Sequence, residues 1–444
     1  MATPVRQPSP DNENSTSART NPFTTPAQSM PASAIGSTTA SSYGVQPPTQ
    51  RYFHSRRVKK GEVEKPWLDK VDPKEKWVTI IPAIGILAGL AVTGFLVYDG
   101  LRSVAHNNYC PVLMEDWSKG WNPDVWTKEV ELGGYGNGQF EQTTATQENV
   151  FVQDGMLYIK PTLQDASLIE QDSTINLLAD GTCTSTLWRD CVVSTNTTNG
   201  TIVNPVKSGR INTKLGANIK FGKVEVEAKL PAGDWLWPAI WMMPTESVYG
   251  VWPRSGEIDI MESRGNNYTH PQGGNNVISS TLHWGPVPSA DGWFRNNVKR
   301  QALHTTYAKG FHTFGVEWSE KYMFSYIDTR LLQVMYVNFD TTFWERGNFP
   351  AATDNGTALI NPWGSGTKAA PFDQNFFLII NVAVGGTNGW FGDGFLGKPW
   401  VDLAPNAKQQ FWEGRDQWYP TWQPDGQLIV KNVKIWQQQG HNGC

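Results

Sequence analysis

Residues 257–262 read Glu-Ile-Asp-Ile-Met-Glu and form the most informative stretch of the chain. Side chains alternate between faces along an extended strand, so Glu257 and Asp259 point the same way. Glu262 lies at an odd offset from both and would point to the opposite face. One extra residue, a β-bulge at the Ile260-Met261 pair, would return it to the shared face. We therefore predict a strand with three carboxylates on one face and aliphatic side chains toward a core.

Crowded carboxylates have a chemical consequence. Like charges this close cannot all ionise at neutral pH, so the pKa of at least one group must rise. A raised pKa suits a general acid, and two carboxyl groups facing each other across a cleft are what glycoside hydrolysis requires. The alternative interpretation is alternating charge on a solvated strand face. The cost of the repulsion favours a chemical use.

The C-terminal three quarters of the sequence has the patterns of β-strands. Residues 224–230 alternate with a period of two, and residues 322–336 read as two strands around a turn. Residues 376–384 form a continuous apolar run, which is typical of a strand buried on both faces. Many strands separated by Gly, Pro, Asn and Asp predict an all-β fold of two packed antiparallel sheets. Residues 165–205 interrupt these strands and are expected to form a surface loop.

The N-terminal quarter has a different composition. Residues 1–50 are rich in Ser, Thr, Pro, Ala, Asn and Gln, which predicts disorder within a tail that reaches residue 76. Residues 77–98 read WVTIIPAIGILAGLAVTGFLVY and carry no charge. At about 1.5 Å per residue such a helix spans the hydrocarbon core of a bilayer. A buried helix and a cleaved signal peptide are the alternatives, although a signal peptide begins nearer the N-terminus. We predict a transmembrane signal anchor.

The charges that flank this segment predict its orientation. Three lysines lie shortly before it, whereas one Asp and one Arg nearly cancel after it. The tail would then lie in the cytosol, residues 99–109 would form a stem, and residues 110–444 would fold in the lumen or outside the cell. This is the topology of a single-pass type II membrane protein. Four glycosylation sequons fall on the predicted outer side, at Asn196, Asn199, Asn267 and Asn355, whereas the sequon at Asn14 would stay unmodified in the cytosol.

The four cysteines fit an oxidising compartment. Cys183 and Cys191 bracket a short loop and are predicted to pair. Cys110 and Cys444 remain, at the two ends of the predicted folded domain, and domain termini commonly lie close together. No Cys-x-x-Cys or His/Cys ligand spacing appears, and the Gly-rich residues 133–138 fit no nucleotide-binding pattern. We expect neither a metal nor an organic cofactor.

Overall composition narrows the class of partner. The net charge is only −4 over 444 residues, which argues against a general nucleic-acid-binding protein. The 21 tryptophans suit a protein that stacks on sugar rings, although several are expected in the core. We expect a monomer whose partners are a polysaccharide and, through one helix, a membrane.

Residues 255–262 resemble the signature of glycoside hydrolase family 16. The six-residue form with the additional Met261 is similar to the branch that contains laminarinases and β-1,3-glucan-binding proteins. Further motifs follow the family's order and extend the resemblance over about residues 112 to 437: residues 208–214, 237–242, 281–285, 311–318, 381–386 and 418–422.

The resemblance implies a curved β-jelly roll with an open cleft on its concave face, and an endo-acting retaining β-1,3-glucanase. It implies that Glu257 is the nucleophile and Glu262 the general acid/base. Asp259 would lie between them and share hydrogen bonds or a proton with Glu257. The candidate sugar contacts from the resemblance are Trp237, Trp241, Arg210, Asn137 and His283. Trp252 and Trp390 are further candidates because they neighbour the acidic strand and a Gly-rich loop, although they could lie at the rim or in the core. One of Trp237 and Trp241 could pack in the core instead, and His283 could bond Glu262, the substrate or only its own strand.

The chain also departs from the family. Several members bind calcium through an Asp in the final strand, where this chain has Lys431, and a lysine cannot ligate calcium. The predicted tail, span and outer domain resemble fungal proteins linked to β-glucan assembly, whereas most laminarinase-like relatives are secreted free. A wall-remodelling transglycosylase and a non-catalytic glucan-binding protein are the alternative functions. Binding-only relatives typically lack one or both catalytic glutamates, and this chain retains all three acids.

Overall fold

The computed structural model describes residues 55, 57–67, 69–70, 72–103 and 107–444. The predicted disorder of residues 1–50 and the sequon at Asn14 lie outside the described residues. The chain divides into two compact units, residues 1–97 and 98–444.

One long apolar helix, α1, runs from Glu75 to Ser103. It is longer than the predicted span of residues 77–98, because the charged residues on either side continue the helix. Its mean hydropathy of 2.4 and its length suffice to cross a membrane, and none of its apolar window is buried within the protein. Pro82 lies inside the helix and not in its first turn, so its missing backbone N–H removes one helical hydrogen bond. The role of this helix as an anchor and its orientation remain predictions.

Strands dominate the regular secondary structure of the second unit. They are β1 Tyr109–Glu115, β2 Thr127–Lys128, β3 Glu141–Thr143, β4 Val150–Gln153, β5 Met156–Ile159, β6 Thr162–Leu163, β7 Ser173–Asn176, β8 Val192–Thr195, β9 Val206–Ser208, β10 Arg210–Asn212, β11 Asn218–Ile219, β12 Gly222–Lys229, β13 Leu236–Pro244, β14 Glu257–Ser263, β15 Val277–His283, β16 Asn297–Gln301, β17 His312–Trp318, β18 Tyr322–Ile327, β19 Gln333–Asn338, β20 Phe376–Val384 and β21 Leu428–Gln438. The short helices are α2 Ala166–Glu170, α3 Phe343–Gly347, α4 Ala407–Glu413 and α5 Arg415–Trp418, with single 3-10 turns at Gly134–Gly136, Trp188–Asp190, Pro288–Ala290, Trp293–Arg295 and Tyr419–Trp422.

Two large antiparallel sheets make up the sandwich. The first has the strand order β19-β18-β17-β12-β21-β5-β4, and β1 also pairs with β21. The second has the order β16-β15-β14-β13-β20-β10-β2, and β11 also pairs with β20. The predicted all-β, antiparallel β-jelly-roll fold is confirmed. The acidic stretch of residues 257–262 lies on β14, well inside the second sheet.

The strand patterns predict where the core lies. On β12 the side chains of Val224, Val226 and Ala228 are fully buried, and the charged residues between them are half-buried. Every residue of β20 is buried, because this strand runs along the middle of its sheet with side chains against the core on one face and the site on the other. Both patterns confirm the strands predicted from periodicity.

The expectation that residues 165–205 form a plain surface loop is wrong. Asp165 caps helix α2 by accepting a hydrogen bond from the Ser167 backbone N–H at 2.9 Å. Strands β7 and β8 then form an antiparallel hairpin. A small separate core holds this insert in place, formed by Val130, Leu132, Leu177 and Cys191. The few apolar residues of the insert therefore suffice to order it, because they pack on Val130 and Leu132 in the segment that follows β2.

Both predicted disulfides are present. Cys183 and Cys191 pair with their Cα atoms 5.7 Å apart. Cys110 and Cys444 pair with their Cα atoms 5.8 Å apart. The second bridge forms because Cys110 lies on β1, which runs alongside the C-terminal strand β21 with Cys110 opposite Gln437.

Candidate active site

A β-bulge brings the three carboxylates to one face of β14. On the β13 side, Ile240 lies opposite Met261 and Trp241 lies opposite Asp259, so Ile260 is the extra residue. The same irregularity appears against β15 between Asp259 and Glu262. The bulge predicted from the odd offset of Glu262 is confirmed.

The bulge is supported from inside the sandwich. The Ser280 hydroxyl, which is fully buried on β15, donates to the Ile260 carbonyl oxygen at 2.7 Å. The Ser325 hydroxyl on the opposite sheet donates to the Ser280 oxygen at 2.8 Å and accepts from the Met335 backbone N–H at 3.2 Å. A buried carbonyl that leaves the sheet ladder needs such a partner.

Sheet register sets the surroundings of Glu262. Glu262 lies opposite Ala239 on β13 and opposite Ser279 on β15. The row of paired residues across the sheet continues from Ala239 to Asn381 on β20 and to Arg210 on β10. Both paired neighbours have small side chains, and Glu262 is half-buried. The Trp237 indole N–H donates to Glu262 Oε1 at 3.0 Å. Burial nevertheless dominates and raises the pKa of Glu262 to about 6.

Asp259 is almost fully buried, with 3% of its surface exposed. Burial, together with the charges of Glu257 and Glu262, raises the pKa of Asp259 well above its ordinary value. The His283 Nε2 atom lies 3.3 Å from Asp259 Oδ2. This distance permits an ion pair, although the alignment falls outside that of a good hydrogen bond.

His283 is held between two acids. Its Nδ1 atom lies 2.5 Å from Asp291 Oδ2, on the side away from Asp259. Burial opposes the charged imidazolium, but Glu257, Asp259 and Asp291 outweigh it and raise the pKa of His283 well above its ordinary value. A protonated His283 can donate a hydrogen bond from each ring nitrogen. It therefore partly neutralises the negative charge of the acidic strand.

Glu257 lies opposite His283 at the start of β14 and is half-buried. The Trp252 indole N–H donates to its Oε2 atom at 2.6 Å. One oxygen each of Glu257 and Asp259 and one nitrogen of His283 lie within 4.8 Å of one another, a spacing that metal ions also accept. The Asp291 contact and the charge of His283 suit proton sharing better than metal ligation, because a ligating imidazole must be neutral.

Aromatic side chains flank the carboxylates. The Trp237 and Trp390 rings stack with centroids 4.7 Å apart and an interplanar angle of 11°. Trp237 is 6% exposed, so most of its ring is packed, whereas Trp241 is half-buried and donates its indole N–H to Asn381 Oδ1 at 2.8 Å. Trp252 is the most open of the four, at 39% exposed.

A second cluster lies at the Arg210 end of the same row. The Arg210 guanidinium lies 3.9 Å from the Tyr135 ring centroid and 4.7 Å from that of Trp241. Its Nε atom lies 2.7 Å from Glu129 Oε2. These contacts hold the guanidinium beside Trp241, with Glu129 as its counter-ion.

Asn137 lies at the rim, in the Gly-rich turn before β3. Its side-chain oxygen accepts from the Asn388 amide at 3.1 Å. Gly386 lies next to both Asn137 and Trp237. A Cβ atom placed on Gly386 would be 3.4 Å from the Asn137 carbonyl oxygen and 3.9 Å from the Trp237 ring. The structure therefore brings all ten sequence-predicted site residues to one face of the second sheet.

Several residues around the site were not predicted. Asn381 falls within residues 381–386, one of the motifs that carry the family resemblance, so the sequence does mark it. Tyr135, Glu129 and Asp291 come from turns and short segments, and no local pattern marks them. Lys431, in the first sheet, pairs with Glu227 at 2.8 Å, so an ammonium group occupies the position at which the resemblance implies a calcium ligand.

The fold and the site together define a β-jelly-roll protein of the glycoside hydrolase class. The chain belongs to glycosyl hydrolases family 16, whose model matches residues 171–374. It is 36% identical over 364 residues to a beta-1,3-glucan-binding protein of Penaeus monodon, covering 79% of this chain and 96% of that protein. It is 34% identical over 256 residues to glucan endo-1,3-beta-glucosidase A1 of Niallia circulans, covering 57% of this chain and 29% of that enzyme. The laminarinase structure from Rhodothermus marinus is 23% identical with a TM-score of 0.47, covering 75% of this chain and 99% of that chain.

Proposed function

We propose that this protein is a retaining glycoside hydrolase that cleaves internal β-1,3-glucosidic bonds of a cell-wall-type β-glucan. The observation that carries the proposal is the acidic face of β14, where the bulge aligns Glu257, Asp259 and Glu262 and burial holds the pKa of Glu262 at about 6. The names of the two relatives, one a binder and one a hydrolase of β-1,3-glucan, favour this substrate.

In the first step the Glu257 carboxylate attacks the anomeric carbon. The bond from that carbon to the glycosidic oxygen breaks, and Glu262 donates its proton to the departing oxygen. The raised pKa of Glu262 keeps this proton in place at mildly acidic pH. The Trp252 indole N–H on Glu257 and the nearby His283 hold the nucleophile ready in the absence of sugar.

In the second step water attacks the anomeric carbon of the glycosyl-enzyme ester. Glu262, now ionised, accepts a proton from this water, and the bond to Glu257 breaks. Asp259 lies between the two glutamates and shares its proton or a hydrogen bond with Glu257 as the charge on that residue changes. The protonated His283 compensates the negative charge that Asp259 and Glu257 share.

The surrounding side chains would hold the sugar chain. Trp241, Trp252 and Trp390 offer ring faces or edges, and Arg210 and Asn137 offer polar groups for sugar hydroxyls. Trp237 acts mainly through its indole N–H and its contact with Trp390, because most of its surface is packed. A row of such groups along the sheet suits a chain bound over several sugar units, and hence endo-cleavage.

A non-catalytic glucan-binding protein is the second candidate, favoured by the 36% identity to the Penaeus monodon protein over nearly all of that relative. The two candidates differ in turnover. Glu257→Gln should abolish hydrolysis while glucan binding persists. Glu262→Gln should also be inactive on glucan. It should still form the glycosyl-enzyme from a substrate with a good leaving group, which needs no acid, and should turn over when azide, which needs no base, replaces water as the attacking group. Glucan binding by the wild type without any release of new reducing ends would favour the binding protein.

A transglycosylase would share the first step and differ in the second, where a glucan hydroxyl replaces water. The test incubates the full-length protein with a β-1,3-glucan oligosaccharide of defined length and measures product masses. Hydrolysis gives only shorter chains, whereas transfer also gives chains longer than the substrate. Cleavage confined to β-1,4- or β-1,6-linked glucans would contradict the proposed linkage.

We further propose that α1 anchors the chain in a membrane with the second unit in the lumen or outside the cell, a placement suited to work on cell-wall glucan. The sequon residues Asn196, Asn199, Asn267 and Asn355 are all exposed, so each is open to glycosylation. Enzymatic removal of N-glycans should increase the gel mobility of the protein made in a glycosylating cell. Unchanged mobility would contradict this topology.

A further inference from the structure

Arg264 is a buried cation with an unusual set of partners. It is 6% exposed and follows the acidic strand directly. None of the ion pairs among the described residues involves it, and its donors go to backbone carbonyls instead. Nε and one terminal nitrogen donate to the Trp390 oxygen at 3.0 and 2.5 Å, and the other terminal nitrogen donates to the Gln272 oxygen at 3.2 Å. Burying a guanidinium without a counter-ion costs free energy, so its retention calls for a compensating role.

The guanidinium also begins a column of stacked groups that ends at Glu262. Its central carbon lies 4.0 Å from the Trp390 ring centroid. The Trp390 ring stacks on Trp237 at 4.7 Å, and the Trp237 indole N–H donates to Glu262 at 3.0 Å. Each contact restricts the next, because a ring clamped on one face can shift less on the other. The column thus links Arg264 to the carboxyl group two residues before it.

A second connection fixes the loop that carries Trp390. The Gln272 side-chain oxygen accepts from the Gly392 backbone N–H at 2.7 Å, while the Gln272 carbonyl accepts from Arg264. Arg264 therefore joins the loop of Trp390 to the loop of Gln272, because it donates to a backbone carbonyl in each. A flexible lysine could not reproduce the planar fork that makes these contacts.

We propose that Arg264 is a positioning residue for Glu262, which clamps Trp390 against Trp237 and thereby fixes the indole N–H on the carboxyl group that exchanges the proton. The roles given to Glu262 rest on the proposed function, but the column does not. The positive charge of Arg264 and the indole N–H both favour the ionised carboxylate. Both therefore assist Glu262 in its second role, as the base that accepts a proton from water.

The test follows the protonation of Glu262 without turnover. The carboxyl carbon of Glu262 is observed by NMR during a pH titration of the full-length protein in detergent, with the signal assigned from Glu262→Gln. In Arg264→Met the midpoint should rise by at least roughly half a pH unit, because the charge and the clamp are both lost. The indole N–H signal of Trp237 should shift and exchange faster with solvent.

Lys299 provides a matched control. Its ammonium donates to the same Gln272 carbonyl at 3.2 Å, but it is exposed, and no contact of its own with Trp390 is present among the described residues. Lys299→Met removes one nearby positive charge and should leave the Glu262 midpoint within experimental error. Equal shifts in both variants would overturn the proposal, because they would indicate only long-range charge. An unshifted midpoint in folded Arg264→Met would overturn it as well.

Arg264→Lys keeps the charge and serves if Arg264→Met does not fold. It should show a smaller rise of the midpoint together with the change in the Trp237 signal, and a titration and signal identical to wild type would contradict the clamp. Rates with a good-leaving-group β-glucoside then test the consequence for chemistry: kcat in Arg264→Lys should fall at least about fivefold with KM changed less than twofold. If the wild type turns over no glucan, the proposed function fails while the titration still decides the role of Arg264.

Discussion

A buried carboxyl group beside two others keeps its proton to a higher pH than a free glutamic acid does, and Glu262 is such a group. Burial raises its pKa to about 6, while the hydrogen bond from the Trp237 indole N–H opposes that rise. If Glu262 is the general acid, kcat/KM must fall as the pH rises through about 6, because the ionised form has no proton to donate.

Trp237→Phe tests the contribution of the Trp237 hydrogen bond to the pKa of Glu262. The variant keeps an aromatic ring against Trp390 and removes the indole N–H, so the ionised form of Glu262 loses a donor. We expect the basic limb of the kcat/KM profile to move upward by roughly half to one pH unit. Trp436→Phe, the same change in the other large sheet, should leave the limb in place. A limb that does not move in Trp237→Phe would refute the role of this hydrogen bond.

At the scale of the strand, the bulge of β14 depends on a hydroxyl from its neighbour. Ser280→Ala would leave the Ile260 carbonyl buried without its partner, which costs about 1–3 kcal/mol of unfolding free energy. Because the bulge aligns Asp259 with Glu262, kcat should fall as well, by about tenfold or more. Denaturant unfolding and glucan hydrolysis measure the two effects.

Ser325→Ala separates stability from alignment. It removes the next hydroxyl of the same buried chain but leaves the bond from Ser280 to Ile260 in place. We expect a comparable loss of stability with nearly unchanged kcat. Equal losses of kcat in the two variants would mean that the hydroxyl of Ser280 has no specific effect on the bulge.

Strand β3 contains a carboxyl group that is buried away from the proposed chemistry. Glu141 accepts from the Val384 N–H at 2.9 Å, and burial raises its pKa from 4.5 to about 8. A group whose pKa is raised in the folded state contributes stability that is complete below its unfolded pKa and is lost as the pH rises through its folded pKa. The stability of the wild type should therefore decline between about pH 4.5 and 8.

Glu141→Gln should remove that decline. The variant keeps an oxygen for Val384 and carries no charge, so its stability relative to wild type should increase on the order of 2–4 kcal/mol between pH 5 and 8.5. Urea unfolding at several pH values measures the difference. A constant difference across this range would show that Glu141 does not titrate as its burial indicates.

Sequence periodicity predicts the elements whose pattern is local. The two-residue alternation of β12, the apolar run of β20 and the odd offset of Glu262 each follow from the geometry of a strand. The hairpin within residues 165–205 was missed because its few apolar residues gain their burial from Val130 and Leu132, which are distant in the sequence. Arg264 and Asp291 were missed for a similar reason, since their partners are brought close only by the tertiary path of loops.

At the scale of the whole molecule, the bridge between Cys110 and Cys444 joins the two ends of the second unit across a sequence separation of 334 residues. Constraining so long a loop in the unfolded chain stabilises the folded state by up to about 5 kcal/mol. Replacing both cysteines by alanine should lower the unfolding free energy by about 2–5 kcal/mol and leave kcat unchanged, because the bridge lies on the first sheet. Replacing Cys183 and Cys191, which are separated by only 8 positions in the sequence, should cost less. A larger loss of unfolding free energy without the Cys183–Cys191 bridge than without the Cys110–Cys444 bridge would contradict this entropic account.

The configuration of the first product tests the central claim most directly. The full-length protein is mixed with a β-1,3-glucan in an NMR tube, and the anomeric proton signals of the new reducing ends are followed from the first minutes. A double displacement at Glu257 predicts that the β anomer appears first and the α anomer only later by mutarotation, with oligosaccharides of several lengths and no signal from Glu257→Gln. The α anomer appearing first, or no new reducing ends from the wild type, would contradict the account.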